Sequence, residues 1–280
     1  MTITQLISLG IQVSMGLMVF CVGLHARAED IVYLLRKPGQ LARSLVAMNV
    51  IMPAVAVTIA LAFPSLDRSL RVALIALSVA PIPPILPGTQ LKAGGRSSYV
   101  VGLLAIAALV SIVTVPVTAA FIGRIFGQEV NTDAAAIAWI VGTSLLGPIV
   151  AGIVVERFAP AFAERIGRPL SLFATALLVV SFLPVLLKIW PAIVASFGNF
   201  TLLTIGVFVA IGLAVGHLLG GPAREDRSVL ALATASRHPG VALAVAHDTA
   251  SLMSVLGIVL VCLIVGALFG AVYTKWIARI

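Results

Sequence analysis

The chain has 280 residues, 61% of them hydrophobic and 10% charged, with a net charge of +8 and a mean hydropathy of +1.17. Soluble domains carry about 25% charged residues, so this composition excludes an ordinary soluble globular protein and points to a polytopic membrane protein. The positive charge alone would suit nucleic acid, but the basic residues gather in alternate loops, which argues for a membrane instead.

A helix needs about 20 apolar residues to cross a bilayer. Nine candidate spans follow one another, at roughly 4–24, 42–63, 70–91, 98–123, 134–155, 169–190, 200–220, 228–250 and 252–274. All of 1–280 reads as one membrane domain, its short linkers punctuated by Pro38, Pro64, Pro160, Pro191 and Pro222. Met1–Thr4 lacks a basic n-region and no cleavage pattern follows, so the first span is expected to stay in the mature protein. Cys21 and Cys262 fall inside spans and read as small core hydrophobes, with neither a disulfide nor a metal site implied.

The third span carries Pro81-Ile-Pro-Pro-Ile-Leu-Pro-Gly88. Proline removes a backbone donor and clashes with the preceding turn, and it pushes the residue before it toward extended geometry. Four prolines in eight residues therefore break the helix. At membrane depth a broken backbone is tolerated only inside protein or along a polar cavity. Lone prolines such as Pro53, Pro116, Pro148 and Pro184 read as kinks.

The eighth span is interrupted at Ser236-Arg-His-Pro-Gly240. With the N-terminus outside, thirteen basic residues fall in inside segments and four outside; Arg237 lies within a span and completes the 18. That asymmetry sets the N-terminus outside and the C-terminus in the cytoplasm. The loop Arg27–Arg43 is then cytoplasmic, beside anionic lipid. The two broken spans run antiparallel, the mark of an inverted-repeat transporter whose breaks meet near the midplane. The repeats are expected at about 1–125 and 130–280.

The second half-helices start near Pro87–Gly88 and Pro239–Gly240. A helix N-terminus offers unpaired N–H groups and partial positive charge, so two such ends would attract a carboxylate. Arg237 stays protonated and pairs well with carboxylates. It reads either as a substrate anchor or as a lock on the crossover through a backbone carbonyl. His238 is the candidate for proton coupling, or else a neutral core histidine. Asn49 and Gln90 are candidates for helix-to-helix hydrogen bonds or substrate contact. His247 and Asp248 read as an interfacial pair in the entry path. His25, Glu29 and Asp30 read as a solvated helix end, not a metal site. No nucleotide fingerprint, HExxH or GxSxG sequence is present, and the span residues hold no paired nucleophile and base, so neither an enzyme nor a cofactor is expected.

Phe20-Cys-Val-Gly-Leu24, Glu29-Asp30, Leu35-Arg-Lys-Pro38 and Ile51-Met-Pro53, in this order, resemble the start of the bile acid:sodium symporter family. Gly212-Leu-Ala-Val-Gly-His-Leu-Leu-Gly220 and Gly240-Val-Ala-Leu-Ala244 resemble its C-terminal half. The resemblance implies an all-α fold of nine spans. It also implies inverted repeats, two crossed discontinuous helices, and core and panel domains, with sodium-coupled transport of organic anions. The family's sodium-site stretch Gly-Gly-Thr-x-Ser-Asn falls on Ile82, Pro83, Pro84, Leu86 and Pro87, and its glutamate and Gln-Asn pair fall on Ala233, Arg237 and His238. Hydroxyl ligands before Pro116 fall on aliphatic residues such as Ala108 and Val110. The side-chain oxygens are gone, and a cation has arrived.

The expected protein is a secondary transporter of a small organic anion in a bacterial inner membrane, without sodium coupling. It works by uniport, or with protons as the coupling partner. Sodium symport through backbone or displaced ligands is one alternative, and an anion-binding sensor or channel is the other.

Overall fold

In lipid every backbone polar group must be satisfied within the protein, and helices do this segment by segment. The computed structural model describes residues 3–127, 133–195, 200–247 and 252–279, and among them helices are the only regular element. α1 (Ile3–Gly23) is followed by the single turn α2 (Ala28–Ile31). α3 (Pro38–Val46) runs through a π-helical segment, Ala47–Ile51, into α4 (Met52–Ala62). α5 (Arg68–Val79) and α6 (Leu86–Lys92) are the halves of the third predicted span, and α7 (Ser97–Ile125) follows. α8 (Ala134–Val141) passes through a second π-helical segment, Gly142–Leu146, into α9 (Gly147–Phe158). Then come α10 (Pro160–Ala195), α11 (Thr201–Leu219), the broken pair α12 (Arg224–Ala235) and α13 (Pro239–Ala246), and α14 (Leu252–Ile277).

Eight helical runs among the described residues are long and apolar enough to cross a bilayer. The remaining predicted span is the one divided into α5 and α6, each half too short to count alone. The chain is thus an all-α, multi-pass membrane protein. Pro191 does not mark a linker: α10 continues through Pro169, Pro184 and Pro191 to Ala195. A membrane helix absorbs such prolines because neighbours and local adjustments re-satisfy the freed carbonyls. Pro160 begins α10, where a missing N–H costs nothing.

Both π-helical segments sit just before a proline. Met52 N–H bonds Ala47 O, and Gly147 N–H bonds Gly142 O, each five residues back. One step on in that register, the carbonyls of Met48 and Thr143 would face Pro53 and Pro148, which have no N–H. Each bulge therefore leaves a carbonyl in need of another donor.

The helices pack in two groups. α1 lies against α9 and α10; α4 to α7 pack with α11 to α14. α8 against α7 and α13, and α10 against α14, join the groups. Leu172, Val180 and Leu187 of α10 are each more than half exposed, as befits a helix facing lipid. Within the larger group an unbroken span, a broken one and a long helix occur in that order twice. At the basic end Arg96 donates to Asp226 at 2.8 Å and to Glu225 at 3.0 Å, tying the start of α7 to the start of α12.

The smaller group closes through glycine. A methyl at Gly23 would stand 2.5 Å from Ile149 O and 2.9 Å from Gly152 Cα, so α1 and α9 touch backbone to backbone, as small residues allow in membranes. Gly23→Val must force them apart. Overpacking of this kind costs about 1–3 kcal/mol, and a melting midpoint lower by roughly 5 °C is the expected result in detergent.

Candidate functional site

α5 stops because Pro81 follows. Ala80 is extended, with φ −69° and ψ 148°, as a residue before proline must be. His238, before Pro239, is extended too, with φ −71° and ψ 112°. The two extended pieces cross: His238 N–H donates to Pro81 O at 2.8 Å. Pro81 to Pro84 are buried. The two breaks thus meet, as expected, within the larger group.

Arg237, 3% exposed, locks this crossing. One terminal nitrogen donates to Ala80 O at 3.1 Å and the other to Met48 O at 3.1 Å. Ala80 O belongs to the C-terminal end of α5, where carbonyls lack intrahelical partners and favour a cation. Met48 O is the carbonyl that the π-helical segment and Pro53 strand. One guanidinium thus joins both breaks and the span before them. Its Nε is buried with no hydrogen-bond partner.

His238 caps α13. Its Nδ1 accepts from Val241 N–H at 3.4 Å, and its Nε2 lies 3.2 Å from Ser144 Oγ. Ser144 donates its own proton to Ile140 O at 2.6 Å, so Nε2 carries the imidazole proton and donates to Ser144. Both ring nitrogens are occupied in the neutral form.

Beside His238 a cavity of about 840 Å³ opens between the two groups of helices. α13 contributes His238, Pro239 and Gly240 to its wall; α1 contributes Gln12 and Gly16; the second π-helical segment contributes Thr143 and Ser144. Phe20, Trp139, Phe182 and leucines of α14 supply apolar surface. A large apolar cleft with a few convergent polar groups is the usual form of a small-molecule site.

Of the residues singled out in the sequence, His238, Pro239 and Gly240 line this cavity; the adjacent Arg237 is buried at the crossing and does not line it. The others stand elsewhere. Gln90, 1% exposed, donates to Val229 O at 2.8 Å and joins α6 to α12. Asn49 is half-buried on the first π-helical segment. α6 starts at Leu86, with Pro87 buried and Gly88 half-buried in its first turn. His247 is exposed after α13; Asp248 lies outside the described residues. Asp30 accepts from Arg27 N–H at 2.8 Å and His25 Nδ1 meets Cys21 O at 2.8 Å. Among the described residues no three potential metal ligands come together.

Gln12, Thr143 and Ser144 were missed. The signal was a hydroxyl pair a few residues before Pro148 in an apolar span, which read only as a kink.

Comparison with known proteins agrees with this architecture. "Probable sodium/metabolite cotransporter BASS5, chloroplastic" of Oryza sativa subsp. indica is 26% identical over 235 residues, covering 78% of this chain and 55% of its own. The protein of the same description from subspecies japonica gives the same figures. The chain spans about half the length of these curated relatives. Residues 12–195 match the profile of the "Sodium Bile acid symporter family". With well over half of its length matched, the chain belongs to the Sodium Bile acid symporter family.

Proposed function

We propose that this protein is a secondary transporter of a small organic anion that does not use sodium. The substrate enters the cavity beside His238–Gly240, and the larger group of helices, the core, moves against α1, α9 and α10, the panel. The repeated order of unbroken, broken and long helices supports inverted repeats at about 1–125 and 130–280. The basic end, bearing Arg27–Arg43, faces the cytoplasm of a bacterial inner membrane, and the N-terminus lies outside.

One observation carries the sodium argument. The guanidinium of Arg237 already donates to Ala80 O and Met48 O at the crossing, carbonyls a small cation would otherwise seek. Two unit charges 4 Å apart repel by about 4 kcal/mol at an effective dielectric of 20, roughly a thousandfold in affinity. No carboxylate stands in either break to offset this. The same fixed positive charge, behind the N-terminus of α13, favours an anion in the cavity. The neutral, doubly bonded state of His238 favours uniport over proton coupling.

The relatives' description as sodium/metabolite cotransporters supports the rival reading of sodium symport. Proteoliposome uptake of a panel of organic acids decides between them. Uptake that is equal with and without a sodium gradient, and unaffected by a proton gradient, is the expected result; strict sodium dependence overturns it. Counterflow exchange separates a carrier from a channel or sensor.

A further inference from the structure

A second cavity lies at the end of the molecule opposite the basic loops. α5 begins there, and α7 and α13 end there, enclosing about 250 Å³. Val72 and Ile75 of α5, Ile122 and Phe126 at the end of α7, and Val245 of α13 make it apolar. Among the described residues, Arg68 and Arg71 are its charged lining. The Nε of Arg71 is buried and has no hydrogen-bond partner. Asp67, four residues back, turns Oδ1 to its own helix, accepting from Ser69 N–H at 2.8 Å and Leu70 N–H at 3.3 Å.

Arg71 is half-buried and lines the pocket, so an oxyanion bound there gains a charge-assisted partner in a partly desolvated setting. A cationic fork over an apolar pocket suits an oxyanion with a short hydrocarbon tail. The volume falls at or below the lower end of small-molecule sites, too small for a sterol body. We propose that this pocket is a second anion site, in which Arg71 binds the oxyanion of a short-chain acid or of a lipid headgroup. Its elements all belong to the core, and although α13 reaches both cavities no residue lines both, so the site does not depend on the transport reading.

Thermal unfolding in nanodiscs tests it, with butyrate as the soluble probe. In phosphatidylcholine discs, saturating butyrate should raise the midpoint by about 5 °C. Arg71→Gln should weaken the effect about 10- to 100-fold, and Val72→Phe, which fills the pocket and keeps Arg71, should abolish it. Gly16→Phe, in the other cavity, should leave it intact. If phosphatidylglycerol discs alone stabilise the protein, and Arg71→Gln and Val72→Phe both remove that gain, the oxyanion is a lipid headgroup. Equal responses of the unaltered protein, Arg71→Gln and Val72→Phe to butyrate and to anionic lipid overturn the proposal. So does a response lost in Gly16→Phe but kept in the two pocket variants.

Discussion

Arg237→Gln should lower the melting midpoint by about 10 °C. The side chain it removes serves two carbonyls from segments far apart in sequence, Met48 O and Ala80 O. Each buried carbonyl left unpaired costs about 1–3 kcal/mol, and for a chain of this size each kcal/mol moves the midpoint by about 2–4 °C. Glutamine is too short to span both acceptors, and lysine presents one compact ammonium where a planar fork is needed. Arg237→Lys should therefore rescue little. A midpoint within about 2 °C of the unaltered protein would show that the clamp is dispensable. The same exchange tests the electrostatic proposal. Ala233, fully buried on α12, stands where the sequence resemblance would put the family's glutamate. Combining Ala233→Glu with Arg237→Gln replaces a cation by a carboxylate, and sodium should then stabilise the double variant while leaving the unaltered protein unmoved. Sodium stabilisation of the unaltered protein would remove the proposed role of Arg237.

Much of this architecture was legible in the sequence. Pro81 to Pro84 could not continue a helix, and nothing could have placed them in lipid. Arg237 could not face lipid either, so the charge and the prolines had to share an interior. The partner of the guanidinium was not legible. Met48 O is free because a π-helical segment shifts the register by one residue and Pro53 has no N–H to give. That follows from backbone geometry, and its donor comes from 189 residues away. The cavity was legible only in part. Pro239 and Gly240 marked α13, but the wall facing them comes from α1 and from the bulge at Thr143 and Ser144, where tertiary packing rather than local pattern decides which residues meet. Pro191 misled for a related reason: a proline punctuates a helix in water more firmly than in a membrane.

Gly16→Phe should abolish uptake while leaving the fold intact. Gly16 stands on α1 facing the cavity, and a methyl built on it meets only Pro148 Cγ, at 3.7 Å. There is open space beyond, so a ring can enter without displacing backbone. Replacing a glycine inside a helix also removes an entropic penalty of about 0.5–1 kcal/mol, which offsets any local crowding. The midpoint should hold or rise, in contrast to Gly23→Val two turns along the same helix, where backbone already meets backbone. If the substrate sits between α1 and α13, the ring occupies its place in one state and obstructs the approach of core to panel in the other. Uptake and counterflow should then fall together, by more than about tenfold, the loss expected when about 1.4 kcal/mol of binding is removed. A blocked channel would lose flux without ever having shown counterflow, and a sensor would show neither. Uptake at the unaltered rate from a correctly folded Gly16→Phe protein would move the transport path away from this cavity.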